Sequence, residues 1–323
     1  MEETNFENAY EMLTGAKSIA IVGHIRPDGD TVGCCVAMRL WLAALGKKAD
    51  IFIDSVVPET LNYITERQKI LRPDDVTRVA EYDVMLIVDC SDERRIGECA
   101  VLRPRCKNIL CFDHHLNNTV NCDLLVCNTE RASCGEVVYE FFVSSNIEIT
   151  KDMATALFTA VSSDTGCFLY PNTTDYTHLV ASELIKTGID REMIMYYNFR
   201  VYDPKVIKGL SHFLRSIRFV LGGRVAVTVL DYKFCKKFAF DNDERHKFQK
   251  YAVDADGVRV SAFLTEESPG EFHVSLRSHG ENNVALIAEQ FGGGGHKNAA
   301  GFTIKGKAKN VVKTIIDEIA KTL

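Results

Sequence analysis

A chain of 323 residues is long enough for about two domains, and a composition of 46% apolar and 25% charged residues is that of an ordinary globular fold. No apolar run approaches the roughly 20 residues of a membrane span, and the acidic start Met1-Glu2-Glu3-Thr4-Asn5-Phe6 is unlike a secretory signal, so a cytoplasmic location is expected. A formal net charge of -6 argues against a broad basic face for long polyanions, but leaves room for a short anionic substrate held through cations.

In chain order, apolar spacing predicts a helix over 5–15. Residues 18–23 read as a buried strand. It runs into His24-Ile25-Arg26-Pro27-Asp28-Gly29-Asp30-Thr31-Val32-Gly33, where Pro27, Gly29 and Gly33 predict a loop, followed by a helix over 32–45. Strands are expected over 49–54 and 84–88, the second ending in Asp89-Cys90-Ser91-Asp92. A further strand over 109–112 delivers Asp113-His114-His115. Two helical patterns lie within 133–163, and the second leads into Asp164-Thr165-Gly166. Strands alternating with helices predict an α/β fold with a parallel sheet and helices on both faces.

A helix over 174–188 follows, then an aromatic-rich, mainly helical connection with Asp203-Pro204 as a helix start. Strand patterns over 224–230, 258–265 and 271–277 and helical patterns over 283–291 and 309–323 predict a smaller α+β domain. The expected divisions are 1–190, a linker at 191–216, and 217–323. The eleven cysteines are scattered and form no CxxC pair, so they read as reduced thiols. Cys34 and Cys35 read as packing residues.

Three strand ends and one helix end share a trait. His24, Asp28 and Asp30 follow the first strand, Asp89 the third, Asp113, His114 and His115 the fourth, and Asp164 closes a helix. In a parallel sheet the strand ends converge on one edge. Several carboxylates in one cleft are costly unless cations neutralise them, and mixed imidazole and carboxylate ligands suit Mn²⁺, Fe²⁺, Co²⁺ or Zn²⁺. The candidates are too many for one ion; two ions about 3.5–4 Å apart with a shared carboxylate would use them all. His114 and His115 are adjacent on an extended chain, so they point to opposite sides and should have different tasks. Gly292-Gly293-Gly294-Gly295-His296-Lys297 reads as an anion cradle, and Arg277-Ser278-His279 ends an alternating strand where it could bind a phosphate or a base. With Arg26, the cations Arg277, His296 and Lys297 are the obvious anion-binding groups. They are few, which predicts short substrates and no long nucleic-acid track.

His24-x-x-x-Asp28-x-Asp30, Val88-Asp89, Asp113-His114-His115 and Asp164-Thr165-Gly166 resemble, in order and spacing, the four motifs of the DHH phosphoesterase superfamily. Residues 292–301, Gly-Gly-Gly-Gly-His-Lys-Asn-Ala-Ala-Gly, resemble the hallmark of the DHH-associated C-terminal domain. The set is most similar to the nanoRNase and pAp-phosphatase type. That resemblance implies a Mn²⁺-dependent hydrolase with two divalent ions. His24, Asp28 and Asp89 would hold one, and Asp30, Asp89, His114 and Asp164 the other, with Asp89 and a water bridging them. His115 would contact the phosphate or protonate the leaving group, and Asp113 would orient an imidazole. Gly293, Gly294, Gly295, His296, Lys297, Arg277 and Ser278 would hold substrate in a cleft between domains. The implied partners are short RNA oligonucleotides, linear dinucleotides and 3′-phosphoadenosine 5′-phosphate. Cyclic dinucleotide hydrolysis, pyrophosphate hydrolysis, a sensor without turnover and a homodimer stay open.

Overall fold

The computed structural model describes residues 5–75, 81–238 and 242–323, so the acidic start at residues 1–4 lies outside the described residues. The chain forms two compact units, Met1–Val201 and Tyr202–Leu323.

In the first unit the elements run α1 (Phe6–Gly15), β1 (Ser18–Val22), α2 (Gly29–Ala44), β2 (Lys48–Phe52), α3 (Asn62–Thr65), β3 (Ile70–Leu71), β4 (Tyr82–Val88), β5 (Cys106–Asp113) and β6 (Leu124–Cys127). Helices α4 (Cys134–Ser144), α5 (Lys151–Asp164), α6 (Asp175–Lys186) and α7 (Arg191–Met195) follow, and a π-helical turn, Tyr196–Arg200, closes the unit. The six strands are all parallel, in the order β3-β2-β1-β4-β5-β6. Near-continuous apolar runs such as Ile19-Ala20-Ile21-Val22 bury both faces of the central strands, as parallel sheets require. Leu86, Val88 and Phe112 face a core built with α1, α2, α4 and α5. Met85, Ile87 and Cys111 face Ile96, Cys99 and Leu102 of a 3₁₀ segment, Glu93–Arg105. Gly97, at φ 58°, and Pro104 keep that segment from becoming one α-helix.

Chain order reverses between β1 and β4, and the carboxyl ends of strands at such a point are where open α/β sheets bind ligands. Helix α2 begins at Gly29, three residues before the expected start, with the Asp28 side chain accepting hydrogen bonds from the N–H groups of Asp30 and Thr31. The glycines expected to make a loop serve close packing. A Cβ at Gly33 would sit 2.4 Å from the Ala156 carbonyl oxygen on α5. Strands β3 and β6 were not expected; they are only two and four residues long.

The second unit runs α8 (Pro204–Ser216), β7 (Arg218–Val220), β8 (Val225–Leu230), α9 (Tyr232–Phe238), α10 (Asn242–Val253), β9 (Val260–Ser268), β10 (Glu271–Ser278), α11 (Ala285–Gln290), β11 (Gly294–His296), β12 (Ala299–Lys305) and α12 (Ala308–Ala320). The stretch 191–216 is therefore helical over most of its length, and the two units divide within it. The sheet order is β11-β12-β10-β9-β8-β7, antiparallel except between β8 and β9. Alternation along β10 sends Phe272, Val274 and Leu276 into a core with Ile287 of α11 and Ile315 of α12. On the opposite face Ala226, Leu230 and Phe263 pack on Phe213 of α8 and Phe248 of α10. Gly294 and Gly295 of the glycine run belong to the edge strand β11. A Cβ at Gly293 would lie 2.2 Å from the Gly301 carbonyl oxygen, so the approach to β12 admits only glycine.

Candidate active site

Beyond the carboxyl ends of β1, β4 and β5 the expected acidic residues converge. Asp89 sits at the centre, turned by a φ of 55°, a left-handed value that aspartate tolerates better than most residues. Its Oδ2 lies 3.4 Å from His24 Nε2 and accepts a 2.6 Å hydrogen bond from the Thr31 hydroxyl. Its Oδ1 lies 3.7 Å from His114 Nε2. His114 Nε2 is also 3.4 Å from Asp164 Oδ2 and 3.9 Å from Asp30 Oδ2. His24 Nε2 is 4.0 Å from Asp28 Oδ1.

Two features hold these groups in place. Asp30 is fully buried, and its two oxygens accept from the Cys134 and Gly135 N–H groups, at 2.7 and 2.8 Å, at the start of α4. There the helix dipole favours negative charge. The two imidazoles are fixed through Nδ1, which lies 2.8 Å from the Ile25 carbonyl in His24 and 3.2 Å from the Arg131 carbonyl in His114. A carbonyl only accepts, so Nδ1 carries hydrogen in both rings and Nε2 is turned to the carboxylates. Two lone pairs facing each other repel; a proton or a cation must lie between them.

Electrostatics point the same way. Burial, with Asp89 and Asp164 nearby, pushes the Asp30 carboxyl well above its ordinary range. Burial, with the charges of Asp89 and Asp28, pushes Asp164 up to about 7. Burial would lower the His24 pKa, but Asp89, by hydrogen bond and charge, outweighs it and raises the value. Asp89, although buried, is held below the usual carboxylate range by His24 and Thr31. This is a centre short of positive charge. Among the described residues, three sets could hold a metal ion: His24, Asp28 and Asp89; Asp30, His114 and Asp164; and Asp89, His114 and His115. Mixed nitrogen and oxygen donors with restrained imidazoles fit a divalent transition-metal ion.

The expectation that His114 and His115 point to opposite sides does not hold: β5 ends at Asp113, the two rings lie with centroids 4.6 Å apart, and His115 Nδ1 is 3.9 Å from Asp89 Oδ1. The same Nδ1 lies 2.6 Å from Asp113 Oδ1, and the Asn118 amide donates to Asp113 Oδ2 at 2.6 Å. The hydrogen bond to Asp113 raises the His115 pKa. Sequence reasoning missed Thr31, Asn118 and the α4 N-terminus as partners of the acidic cluster. Nothing local marks the first two. The third had a signal in Ser133, which caps α4 by accepting from Glu136 N–H. Arg26 is exposed in the loop before Asp28, at φ 55°. Cys34 and Cys35 are fully buried, and burial pushes both thiols far up.

In the second unit, strand register brings together some of the expected substrate residues. Arg277 pairs with Ala299, and Ala299 with His296, so Arg277 and His296 share one cross-strand row on one face. Ser278 does not join them. It is buried, and its hydroxyl donates to the Asn282 carbonyl. Lys297 is ion-paired with Glu281 at 2.8 Å. Gly294 is open to solvent, while Gly293 serves packing.

Residues 18–161 match the DHH family, N-terminal domain, and residues 222–322 match the DHHA1 domain. A probable bifunctional oligoribonuclease and PAP phosphatase NrnA of Streptococcus mutans is 24% identical over 308 residues, covering 95% of this chain and 96% of that one. The bifunctional oligoribonuclease and PAP phosphatase NrnA of Thermus thermophilus is 29% identical, covering 89% of this chain and 84% of that one. A solved exopolyphosphatase-related protein from Bacteroides fragilis is 25% identical, with a TM-score of 0.86 over 98% of this chain and 95% of that one. The chain belongs to the DHH phosphoesterase family, with a C-terminal DHHA1 domain, and is a hydrolase acting on phosphoester bonds.

Proposed function

We propose that this hydrolase uses two divalent cations, Mn²⁺ foremost, to cut very short RNA oligonucleotides and linear dinucleotides to mononucleotides, and 3′-phosphoadenosine 5′-phosphate to AMP. The observation that carries the reading is the pair of ligand sets meeting at one carboxylate: His24, Asp28 and Asp89 beside Asp30, His114 and Asp164, with Asp89 within 3.7 Å of both imidazoles. When bound, such a cation pair supplies Lewis acidity at the phosphorus centre and lowers the pKa of water.

The chain's own residues divide the remaining work. Thr31 and His24 orient Asp89 Oδ2, leaving Oδ1 turned towards His114. Asp113, fixed by Asn118, favours the imidazolium form of His115. His115 can therefore hold a proton on Nε2 for the departing oxygen. Arg277 and His296 offer positive charge to a phosphate of the nucleotide being held. The substrate class draws support from the names of the relatives, which span nearly the same length as this chain.

The test compares kcat/KM with Mn²⁺ for a linear dinucleotide, 3′-phosphoadenosine 5′-phosphate, a cyclic dinucleotide and pyrophosphate. Expected is turnover of the first two above the others, abolished by a chelator. Preference for the cyclic dinucleotide or for pyrophosphate would overturn the substrate assignment, and chelator-resistant turnover would overturn the cation assignment.

A further inference from the structure

The sheet of the second unit is covered unevenly. One face is buried by α11 and α12; the other is covered by α8 and α10 over β8 and β9, where Ala226, Leu230 and Phe263 are buried. Among the described residues the cover ends at Gln249 of α10, whose side chain donates to the Ser275 carbonyl. Beyond it this face of β10, β12 and β11 carries three rows set by register. They are Arg277-Ala299-His296, then Ser275-Gly301-Gly294, then His273-Thr303. Successive rows are two residues apart along a strand, roughly 6.8 Å.

The rows differ in chemistry. The first has the Arg277 guanidinium and the His296 imidazole flanking an alanine. The second has glycine at two of its three places beside the Ser275 hydroxyl, with Gly294 open and Gly301 under the edge of the neighbouring His273 ring. The third has an imidazole that leans inwards: His273 Cε1 and Nε2 lie 3.5 and 3.6 Å from where a Gly301 Cβ would stand. The order is thus cation, glycines with a hydroxyl, aromatic ring. A nucleotide has the matching order of phosphate, ribose and base.

We infer that this open face is a nucleoside platform on which the His273 ring stacks against the base of a nucleotide whose phosphate is held at Arg277 and His296. The inference rests on the phosphoester reading above. It adds a specificity-determining residue, His273, distant from the reacting centre in sequence and function. Stacking on an imidazole tolerates any base, because every base presents a π-face.

The experiment compares 3′-phosphoadenosine 5′-phosphate with ribose 3,5-bisphosphate, which lacks only the base, in wild-type protein, His273→Ala and His273→Phe. In wild-type protein, removal of the base should raise KM by roughly ten- to hundredfold, the effect expected of one stacked base. His273→Ala should raise KM for the nucleotide by a similar factor, leave KM for the base-free compound unchanged, and leave kcat within about threefold for both. His273→Phe keeps a flat ring and should restore the nucleotide KM. A His273→Ala KM within about twofold of wild type, an equal shift for both compounds, or no recovery in His273→Phe would each overturn the platform. Wild-type protein that turns over neither compound would instead overturn the phosphoester substrate reading, and the platform with it.

Discussion

The two units solve opposite electrostatic problems. In the first, carboxylates are packed beneath the surface: Asp30 and Asp113 are fully buried and Asp89 nearly so, held by backbone N–H groups, a threonine and two restrained imidazoles. Such a centre needs positive charge from outside the chain. In the second, the proposed substrate groups Arg277 and His296 stand in one cross-strand row on a partly exposed sheet face. The buried site depends on helix packing to keep its geometry; the open one depends only on which residues stand opposite each other across strands. Disturbances should therefore propagate differently in the two units.

The largest expected effect is at Asp89, the carboxylate shared by two ligand sets. Asp89→Ala should lose metal and raise the barrier by several kcal/mol, on the order of 10³-fold or more in kcat. Near wild-type turnover with Mn²⁺ in the purified variant would show that no shared centre exists. Arg277→Ala and His296→Ala should each cost roughly 1.5–3 kcal/mol in kcat/KM while elemental analysis still finds the metals. Loss of metal in either variant would erase the contrast between the units.

Packing sets a smaller but more general effect. Gly33→Ala puts a methyl 2.4 Å from the Ala156 carbonyl oxygen, so α2 and α5 must move apart. Expected is destabilisation of about 1–3 kcal/mol in urea unfolding, with weakened metal binding because α2 carries Asp30 and α5 ends in Asp164. A matching glycine change at the open face, Gly294→Ala, meets nothing within 4 Å and should leave stability unchanged. Equal losses at the two sites would contradict the assignment of rigidity to the first unit.

The smallest effect concerns pH. A carboxyl raised from 3.8 to about 7, as in Asp164, binds a proton in the folded chain that the unfolded chain has already released. Its stabilising contribution is present below the ordinary value and is lost as pH rises towards 7; His24, also raised, adds to that loss. Asp89, lowered, acts oppositely but only at more acidic pH. Metal-free protein should therefore lose on the order of 2 kcal/mol between about pH 5 and 8, Asp164→Asn should flatten the slope, and added Mn²⁺ should reverse it. A metal-free melting temperature that rises over that range would contradict the charge-starved centre.

The acidic centre was legible in the sequence because each of its carboxylates and imidazoles follows an apolar strand or closes a helix, and a parallel sheet sends such ends to one edge. The start of α2 was not legible. Gly29 and Gly33 signal a loop by local preference, and only the close approach of α5, through Ser163 and the Ala156 carbonyl, explains them. The 3₁₀ cover and the short strands β3 and β6 left no periodic signal to read. In the second unit Arg277 and His296 were legible as cations near strand ends. Ser278 misled, because alternation turns it to the other face. The row that joins Arg277 to His296 depends on register, which no single strand reveals.

The most direct measurement of the short-substrate claim is a turnover series on 5′-labelled RNA from dinucleotide to about a 24-mer, at fixed salt because phosphate contacts are salt-sensitive. With cations at few positions and a net charge of -6, extra nucleotides add ordering cost without partners. Expected is kcat/KM highest for the shortest members, with mononucleotides released from a chain end. Equal kcat/KM across the series, or products of internal cleavage, would contradict it.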